Sequence, residues 1–302
     1  MKISVIIVNF NTQKLLQDCL NSLFEKNKNL EMEVIVVDNA STDGSVEMVK
    51  EAFPSAVLLV NQKNLGFAGG NNIGLKKARG EYVLLLNSDT KFIENSLTQM
   101  IEFMDKNNKV GIASCQLVSE NGDIQPSGGF FPTLSRVFTW MFFLDDLPLV
   151  GKLVKPFHPH APRFYTRNPW YQEEHFQDWV TGAFFLIRKD VIADIGFLDE
   201  KFFMYVEEME YCYRAQKAGW QVVYIPITKI IHFGGKSSTS KNALVGEYRG
   251  LKYFYAKHEP FWKMFFLRFF LKAGAIFRIL LFGIMKRNKE AKEAYVEALR
   301  IV

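Results

Sequence analysis

The chain has 302 residues, 48% of them hydrophobic and 28 of them Phe, enough to bury the core of one large α/β domain with an appendage. Its three cysteines, Cys19, Cys115 and Cys212, are odd in number and lack ligand spacing, which argues against a disulfide framework or a Cys-type zinc site and for a reducing compartment. The net charge of +5 is uneven: residues 241–302 hold 13 Lys and Arg against 5 Asp and Glu, and the first 240 residues sum to −3. A tail so basic needs a partner or a surface.

The opening "MKISVIIVNFNT" has an apolar run too short for a signal-peptide core and no small-residue cleavage site, so it is expected to form a first strand at 3–8. An amphipathic helix follows over 12–25, with Leu15, Leu16, Cys19, Leu20 and Leu23 on one side. Next come a strand at 33–39, a helix opening at "STDGSVEMV", a strand at 56–60, a helix over about 70–79 and a strand at 82–86. Alternating elements with doubly apolar strands predict an α/β fold with a mostly parallel sheet and helices on both faces. Residues 123–178, rich in Pro and aromatics, read as a mobile excursion covering something. A helix at "VEEMEYCYRAQKAG", a strand "QVVYIP" and a further segment "KIIHFGG" follow.

Ligands of such sheets sit at the carboxyl ends of the strands, so the residues there are the candidates. Asp38 can accept from a ribose hydroxyl or a base N–H, or cap the next helix as Ser41 and Thr42 also could. Phe10 can pack on a base or belong to the core. The glycine-rich "NLGFAGGNNIG" (64–74) leads into a helix N-terminus and allows close approach to phosphate, but lacks the G-x-G-x-x-G fingerprint, which argues against a dehydrogenase. Asn87, Ser88 and Asp89 form an oxygen-rich strand end; one carboxylate there suffices for Mn2+ or Mg2+ if a diphosphate supplies the other ligands, and helix capping is the alternative. Glu207 and Glu208 follow an aromatic run, and one of them would serve as general base if burial raised its pKa; a solvated acidic helix start is the plainer reading. Glu210 lies four residues before Arg214 and suits an ion pair. His232 ends a strand as ligand or structural residue, and Gly234, Gly235, Lys236 and Ser237 could meet phosphate.

The order of "VIIVNFN", "VVDNASTDGS", "NLGFAGGNNIG", "LLLNSDT", "WVTGAFFLIRKD", "GFLDEKFFMYVEEMEYCYR" and "HFGGKSS" closely resembles the family 2 glycosyltransferases over about residues 3–258. The nearest branch is the rhamnosyltransferase-like enzymes of bacterial cell-surface polysaccharide synthesis. The resemblance implies a GT-A fold with a nucleotide-binding half (1–120), an acceptor half (121–258) and a helical tail (259–302). It implies an inverting, metal-dependent transfer from a nucleotide-diphosphate sugar, dTDP-rhamnose or a UDP-sugar, to a glycan or lipid-linked acceptor. Asn87-Ser88-Asp89 matches the family's D-x-D motif, with Asn at its first position and Asp89 as metal carboxylate. Phe10 and Asp38 match base and ribose contacts. Gly66 to Asn72, with Phe67, Gly70 and Asn71, match the loop beside the diphosphate, and Asn64 just before it is a further candidate for nucleotide binding. Thr181-Gly182-Ala183 matches the loop facing donor sugar and acceptor, and His232 matches the histidine that completes the metal site. Glu207-Glu208 matches the Glu-Asp pair; Glu208 stands where the base is expected, one methylene longer than Asp, and Glu207 is the other candidate.

In the tail, Lys263, Arg268, Lys272, Arg278 and Lys286 fall on one half of a helical wheel. Phe266, Phe269, Phe270, Ile276, Phe277, Leu280 and Ile284 fall on the other. Such a helix reads as lying on an anionic membrane surface, which would place the protein on the cytoplasmic face of the cell membrane. Packing of the Phe face on the domain or a second subunit, as in a homodimer, is the alternative. Cations interleaved with Phe make nucleic acid a poor partner. Two rival functions are a sugar-nucleotide nucleotidyltransferase, whose Arg- and Lys-bearing loop is missing after strand one, and a degenerate transferase domain acting as membrane scaffold or glycan binder.

Overall fold

The computed structural model describes residues 1–158, 169–234, 240–285 and 287–302. The first half runs β1 (Ile3–Asn9), α1 (Gln13–Lys26), β2 (Met32–Asp38), α2 (Ser45–Ala52), β3 (Val57–Val60), α3 (Gly66–Leu75), β4 (Tyr82–Asn87), β5 (Thr90–Phe92), α4 (Ser96–Lys106) and β6 (Val110–Val118). Short pieces follow: β7 (Ile124–Gln125), β8 (Gly128–Gly129), α5 (Leu134–Met141), α6 (Pro148–Leu153), β9 (His175–Phe176) and β10 (Trp179–Val180). The chain then forms β11 (Phe184–Arg188), α7 (Lys189–Ile195), α8 (Glu207–Lys217), β12 (Gln221–His232), α9 (Ser240–His258), α10 (Phe261–Leu280) and α11 (Lys289–Ile301).

Among the described residues one sheet has the order β3-β2-β1-β4-β11-β6-β12-β5. β3, β2, β1 and β4 run parallel, whereas β11 lies antiparallel between β4 and β6. The strands are apolar on both sides because both faces are covered: Ile6, Val83 and Leu85 enter one core, and Val5, Ile7, Leu84 and Leu86 the other. Register places the site. Asn9 pairs with Asp38 and Val8 with Asn87, so three strand ends come level. His232 pairs with Thr90, which sets its ring beside Asp89.

Several elements differ from the sequence pattern. The helix expected at 70–79 begins at Gly66, one turn earlier. Glycine is required there on two counts: its φ is left-handed at +73°, and a Cβ would lie 2.1 Å from the Phe203 carbonyl oxygen. The two segments expected after α8 form one strand, β12, with an irregularity between Ile225 and Lys229 that takes up Pro226. The excursion at 123–178 is no mere cover: Val137, Trp140 and Met141 of α5 are core residues.

The tail packs in a way its wheel does not suggest. Leu267, Leu271, Gly274 and Ala275 of α10 are buried, and Gly274 lies against Met141. Arg278, expected among the solvated cations, is buried at 4% exposure. It donates to the carbonyls of Met141 and Trp140 and to the Tyr295 hydroxyl, and its guanidinium lies over the Trp140, Phe143 and Tyr295 rings. A planar group with five donors suits this, because buried carbonyls without partners are costly. Of the apolar half expected from the wheel, Phe266, Phe269, Ile276 and Leu280 are exposed whereas Phe270 packs on Phe138, and Phe261 and Phe265 are more exposed still at 91% and 70%. Among the described residues no helix is long and apolar enough to cross a membrane.

Replacing Arg278 with Ala is expected to lower the unfolding free energy by about 2–4 kcal/mol in urea titrations, because the Met141 carbonyl and the Tyr295 hydroxyl lose a buried donor and the stacked guanidinium leaves a cavity. Lys272→Ala, on an exposed position of the same helix, is expected to change it by less than about 0.5 kcal/mol.

Candidate active site

A cavity of about 1310 Å³ opens at the carboxyl edge of β1, β2 and β4. It gathers most of the residues singled out above: Phe10, Asn64, Gly66, Phe67, Asn87, Ser88, Asp89, Thr181, Gly182, Glu207, Glu208 and His232 all line it. Phe10 is 43% exposed, a ring without a packing partner in the core. Asn64 caps the entry to α3 by accepting from the Gly66 amide at 2.8 Å.

Three expected residues are not brought to the wall. Asp38 is buried behind it, one carboxylate oxygen accepting from Asn9 Nδ2 at 2.9 Å and the other from the Ser41 amide at 2.8 Å. Gly70 and Asn71 fall a full turn inside α3 because that helix starts early. Gly70 packs on Val8, and Asn71 donates to the Phe67 carbonyl. Lys236 lies outside the described residues. Asn39, Thr12 and Arg249 line the cavity without having been singled out. Asn39 follows Asp38 directly, and extending the strand-end rule by one residue would have found it. Arg249 comes from α9, where no local motif marks it.

Asp89 and His232 are built like a pair of cation ligands. Asp89 is 2% exposed, and its Oδ1 has no hydrogen-bond partner. That oxygen faces His232 Nε2 at 3.5 Å. His232 Nδ1 lies 2.9 Å from Gln125 Oε1, and Gln125 Nε2 donates to the His232 carbonyl at 2.9 Å. A proton on Nδ1 leaves the Nε2 lone pair directed at Asp89, the usual support for a ligating histidine. The donor set, one carboxylate oxygen and one imidazole nitrogen, fits Mn2+ or Mg2+ whose other positions go to phosphate and water. Gln125 had no signal in the sequence, because only the pairing of β7 with β6 brings it here.

Glu207 and Glu208 arrive on a strained turn. Tyr205 and Val206 both adopt positive φ, 73° and 76°, a conformation that a β-branched residue strongly resists. Two glycines of α9 make room for it: a Cβ on Gly250 would lie 2.6 Å from Val206 Cγ2, and one on Gly246 would lie 2.6 Å from the Tyr205 ring. One turn into α8, the buried Glu210 accepts from Arg214, Lys257 and His258, tying α8 to the end of α9. The expected Glu210–Arg214 pair is therefore one part of a larger clasp.

Burial and the adjacent Glu208 charge hold the Glu207 carboxyl well above the usual carboxylate range. Burial pushes Glu208 up to about 7, with the His158 charge and the Gly182 amide lowering it and Glu247 raising it. Oε2 of each glutamate is buried without a hydrogen-bond partner.

A strand-edge cavity in a mostly parallel sheet, with a carboxylate–imidazole pair and an elevated carboxyl pair, is the arrangement of a nucleotide-dependent group-transfer enzyme. The Glycosyl transferase family 2 profile matches residues 4–196, and the chain belongs to that family of glycosyltransferases. It is 24% identical over 288 residues to an N-acetylglucosaminyl-diphospho-decaprenol L-rhamnosyltransferase of Mycobacterium tuberculosis, covering 87% of this chain and 88% of the relative. Its fold is similar to that of the mannosyltransferase PcManGT from Pyrobaculum calidifontis, solved with GDP-Man and Mn2+ (TM-score 0.60, 16% identity, 99% of this chain and 86% of that one). It is also similar to GalNAc-T7, solved with UDP, GalNAc and Mn2+ (TM-score 0.63, 15% identity, 98% and 54%). These neighbours bear out the GT-A fold.

Because Glu208 binds its proton more tightly folded than unfolded, it costs stability above its unfolded pKa, and that cost is complete above about 7. Glu208→Gln is therefore expected to stabilise the protein by about 1–3 kcal/mol at pH 8 and by nothing at pH 4, measured by denaturant titration at both pH values.

Proposed function

We propose that this glycosyltransferase moves a sugar, with inversion, from a nucleotide-diphosphate donor to a hydroxyl of a glycan or lipid-linked acceptor in cell-surface polysaccharide synthesis. The observation that carries the reading is that Asp89 and Glu208, each with a buried carboxylate oxygen lacking a partner, line one cavity together with the glycine-bounded start of α3.

In this reading residues 1–120 hold the nucleotide. Phe10 stacks on the base, while Asp38, buried behind the wall, orders the strand-end turn there through Asn9 and the Ser41 amide. Asn64, Gly66 and Phe67 lie along the diphosphate, with Arg249 supplying positive charge across the cavity. Asn87 and Ser88 frame the ribose side of Asp89. Asp89 and His232 would hold a divalent cation, which supplies Lewis-acid neutralisation of the charge growing on the departing diphosphate. Thr181 and Gly182 bound the sugar.

Glu208 lines this cavity and a second one behind it, so it can meet donor and acceptor together. It removes the acceptor hydroxyl proton as the oxygen attacks the anomeric carbon from the face opposite the diphosphate. The bond to the diphosphate breaks, the electron pair leaves with it, and the anomeric configuration inverts. Glu207, whose carboxyl is held above the usual range by burial and the neighbouring Glu208, lies beside it for a hydrogen bond with a sugar hydroxyl. The M. tuberculosis relative is an L-rhamnosyltransferase, which supports a rhamnose donor such as dTDP-rhamnose ahead of a UDP-sugar.

The exposed Phe261, Trp262, Phe265 and Phe269, flanked by Lys263, Arg268 and Lys272, suit an anionic lipid surface on the cytoplasmic face of the membrane. A lipid-linked acceptor fits that placement.

With Mn2+ and a panel of dTDP-, UDP- and GDP-sugars, nucleoside diphosphate release is expected from one donor and lost in Asp89→Ala. Glu208→Gln is expected to slow it at least 100-fold, and the wild-type rate should climb with pH through about 7 and then level off. Release that survives both substitutions would remove the assignment.

Flotation with phosphatidylglycerol vesicles should carry the protein, less so in 0.5 M salt or after Phe261→Ser with Phe265→Ser. Equal recovery with neutral phosphatidylcholine vesicles, or a dimer that hides this face, would count against a membrane partner.

A further inference from the structure

Four cations gather where α9 meets α10. Arg249 and Lys252 lie about one turn apart on α9, and Arg268 and Lys272 about one turn apart on α10. The two helices are joined at Glu259-Pro260 and pack on each other, and Lys252 stands about as far before that turn as Arg268 stands after it. Lys252 also donates to the Ile301 carbonyl at the end of α11. Burial, and then the charges of Arg268, Lys272 and Arg249, hold its ammonium below the usual lysine range, so all three cations lie near it.

Other lysines of the tail are neutralised: Lys257 pairs with Asp199 and Glu210, and Lys263 with Glu259. Among the described residues no carboxylate forms an ion pair with Arg249, Lys252, Arg268 or Lys272, and every Asp and Glu of the chain is among those residues. Arg249, Arg268 and Lys272 are exposed. Apolar surface adjoins them, because Arg268 and Lys272 stand at i+3 from the exposed rings of Phe265 and Phe269. At the other end of the cluster, Arg249 lines the donor cavity. All four cations lie beyond residue 196, where the family match ends.

Phosphate oxygens suit such a group, since a guanidinium meets them with paired hydrogen bonds and an ammonium adds a point charge. A ligand with one negative charge leaves most of the repulsion among four cations in place, and a ligand with two relieves more of it. The adjoining rings suit an acyl or prenyl chain, which neither free phosphate nor nucleic acid carries.

Resting on the membrane placement proposed above and going beyond it, we infer that Arg249, Lys252, Arg268 and Lys272 form a headgroup site for a lipid phosphate with two negative charges, a phosphomonoester or a diphosphate, whose chain lies along Phe265 and Phe269. The protein then docks on particular lipids rather than on negative charge at large. Through Arg249, the bound headgroup holds the mouth of the donor cavity at the bilayer surface.

The test is flotation of the full chain with phosphatidylcholine vesicles that carry phosphatidic acid, a phosphomonoester, or phosphatidylglycerol, a phosphodiester, at equal total negative charge. Phosphatidic acid should bind about tenfold more tightly. Arg268→Gln combined with Lys272→Gln should erase that preference and leave the Kd of UDP or dTDP, measured with Mn2+ by calorimetry, within about twofold. Lys289→Gln combined with Arg300→Gln, which removes the same charge from exposed positions of α11, should keep it. Glycerol 3-phosphate in solution should not release the protein from the vesicles. Equal binding of the two lipids, a preference that survives the α10 substitutions, its equal loss with the α11 substitutions, or release by glycerol 3-phosphate would overturn the inference. Equal binding of both lipids leaves the general membrane placement standing, whereas binding of neither removes that placement too. The transferase reading is judged separately, by the nucleotide binding of the unsubstituted chain.

Discussion

The chemistry of this molecule hangs on a two-residue turn that a polypeptide would not adopt by itself. Tyr205 and Val206 sit in left-handed conformations at a combined cost of about 2–6 kcal/mol. They stay there because helix α9 offers two side-chain-free positions, Gly246 and Gly250, into which they press. The Glu210 clasp to Arg214, Lys257 and His258 then fixes α8 against the same helix. Released from that seat, the turn would relax and carry both glutamates out of the cavity. The acidic pair is therefore positioned from the carboxyl-terminal side of the chain, although the cavity belongs mainly to the sheet.

Electrostatics divides the site into two unlike halves. At the sheet edge, Asp89 and His232 face each other with lone pairs directed inward, a combination that invites a cation. In the same cavity Glu207 and Glu208 are desolvated, and the Glu208 charge adds to the burial that opposes ionisation of Glu207. Keeping these halves apart matters, because a cation close to Glu208 would lower its proton affinity and blunt it as a base. Different elements carry the two groups: β12 brings the histidine and α8 the glutamates.

Much of this was legible in the sequence because strand ends report themselves. An apolar run that stops at "NSDT" or "VVDN" marks the sheet edge wherever the strand lies, and the register then aligns those edges. What was illegible depends on distance along the chain. Gln125 reaches His232 across 107 positions, and Arg278 reaches Trp140 across 138. No local periodicity encodes either contact. Gly70 and Asn71 misled for a different reason: "NLGFAGGNN" reads as loop by composition, since glycine disfavours helix, but packing on Val8 rewards the missing side chain and starts the helix early.

The helical wheel of α10 has a consequence for how the protein can be dissected. A peripheral anchor is usually separable, so that its removal leaves a free catalytic body. Here the small-residue face of the helix covers α5, and Arg278 satisfies carbonyls within that body. Trimming the chain at residue 258 would strip the roof from Trp140 and Met141 and expose a fresh apolar surface. Evolution could therefore change the aromatic face freely, retuning which surface the protein meets, while the opposite face of the same helix stays locked to the core.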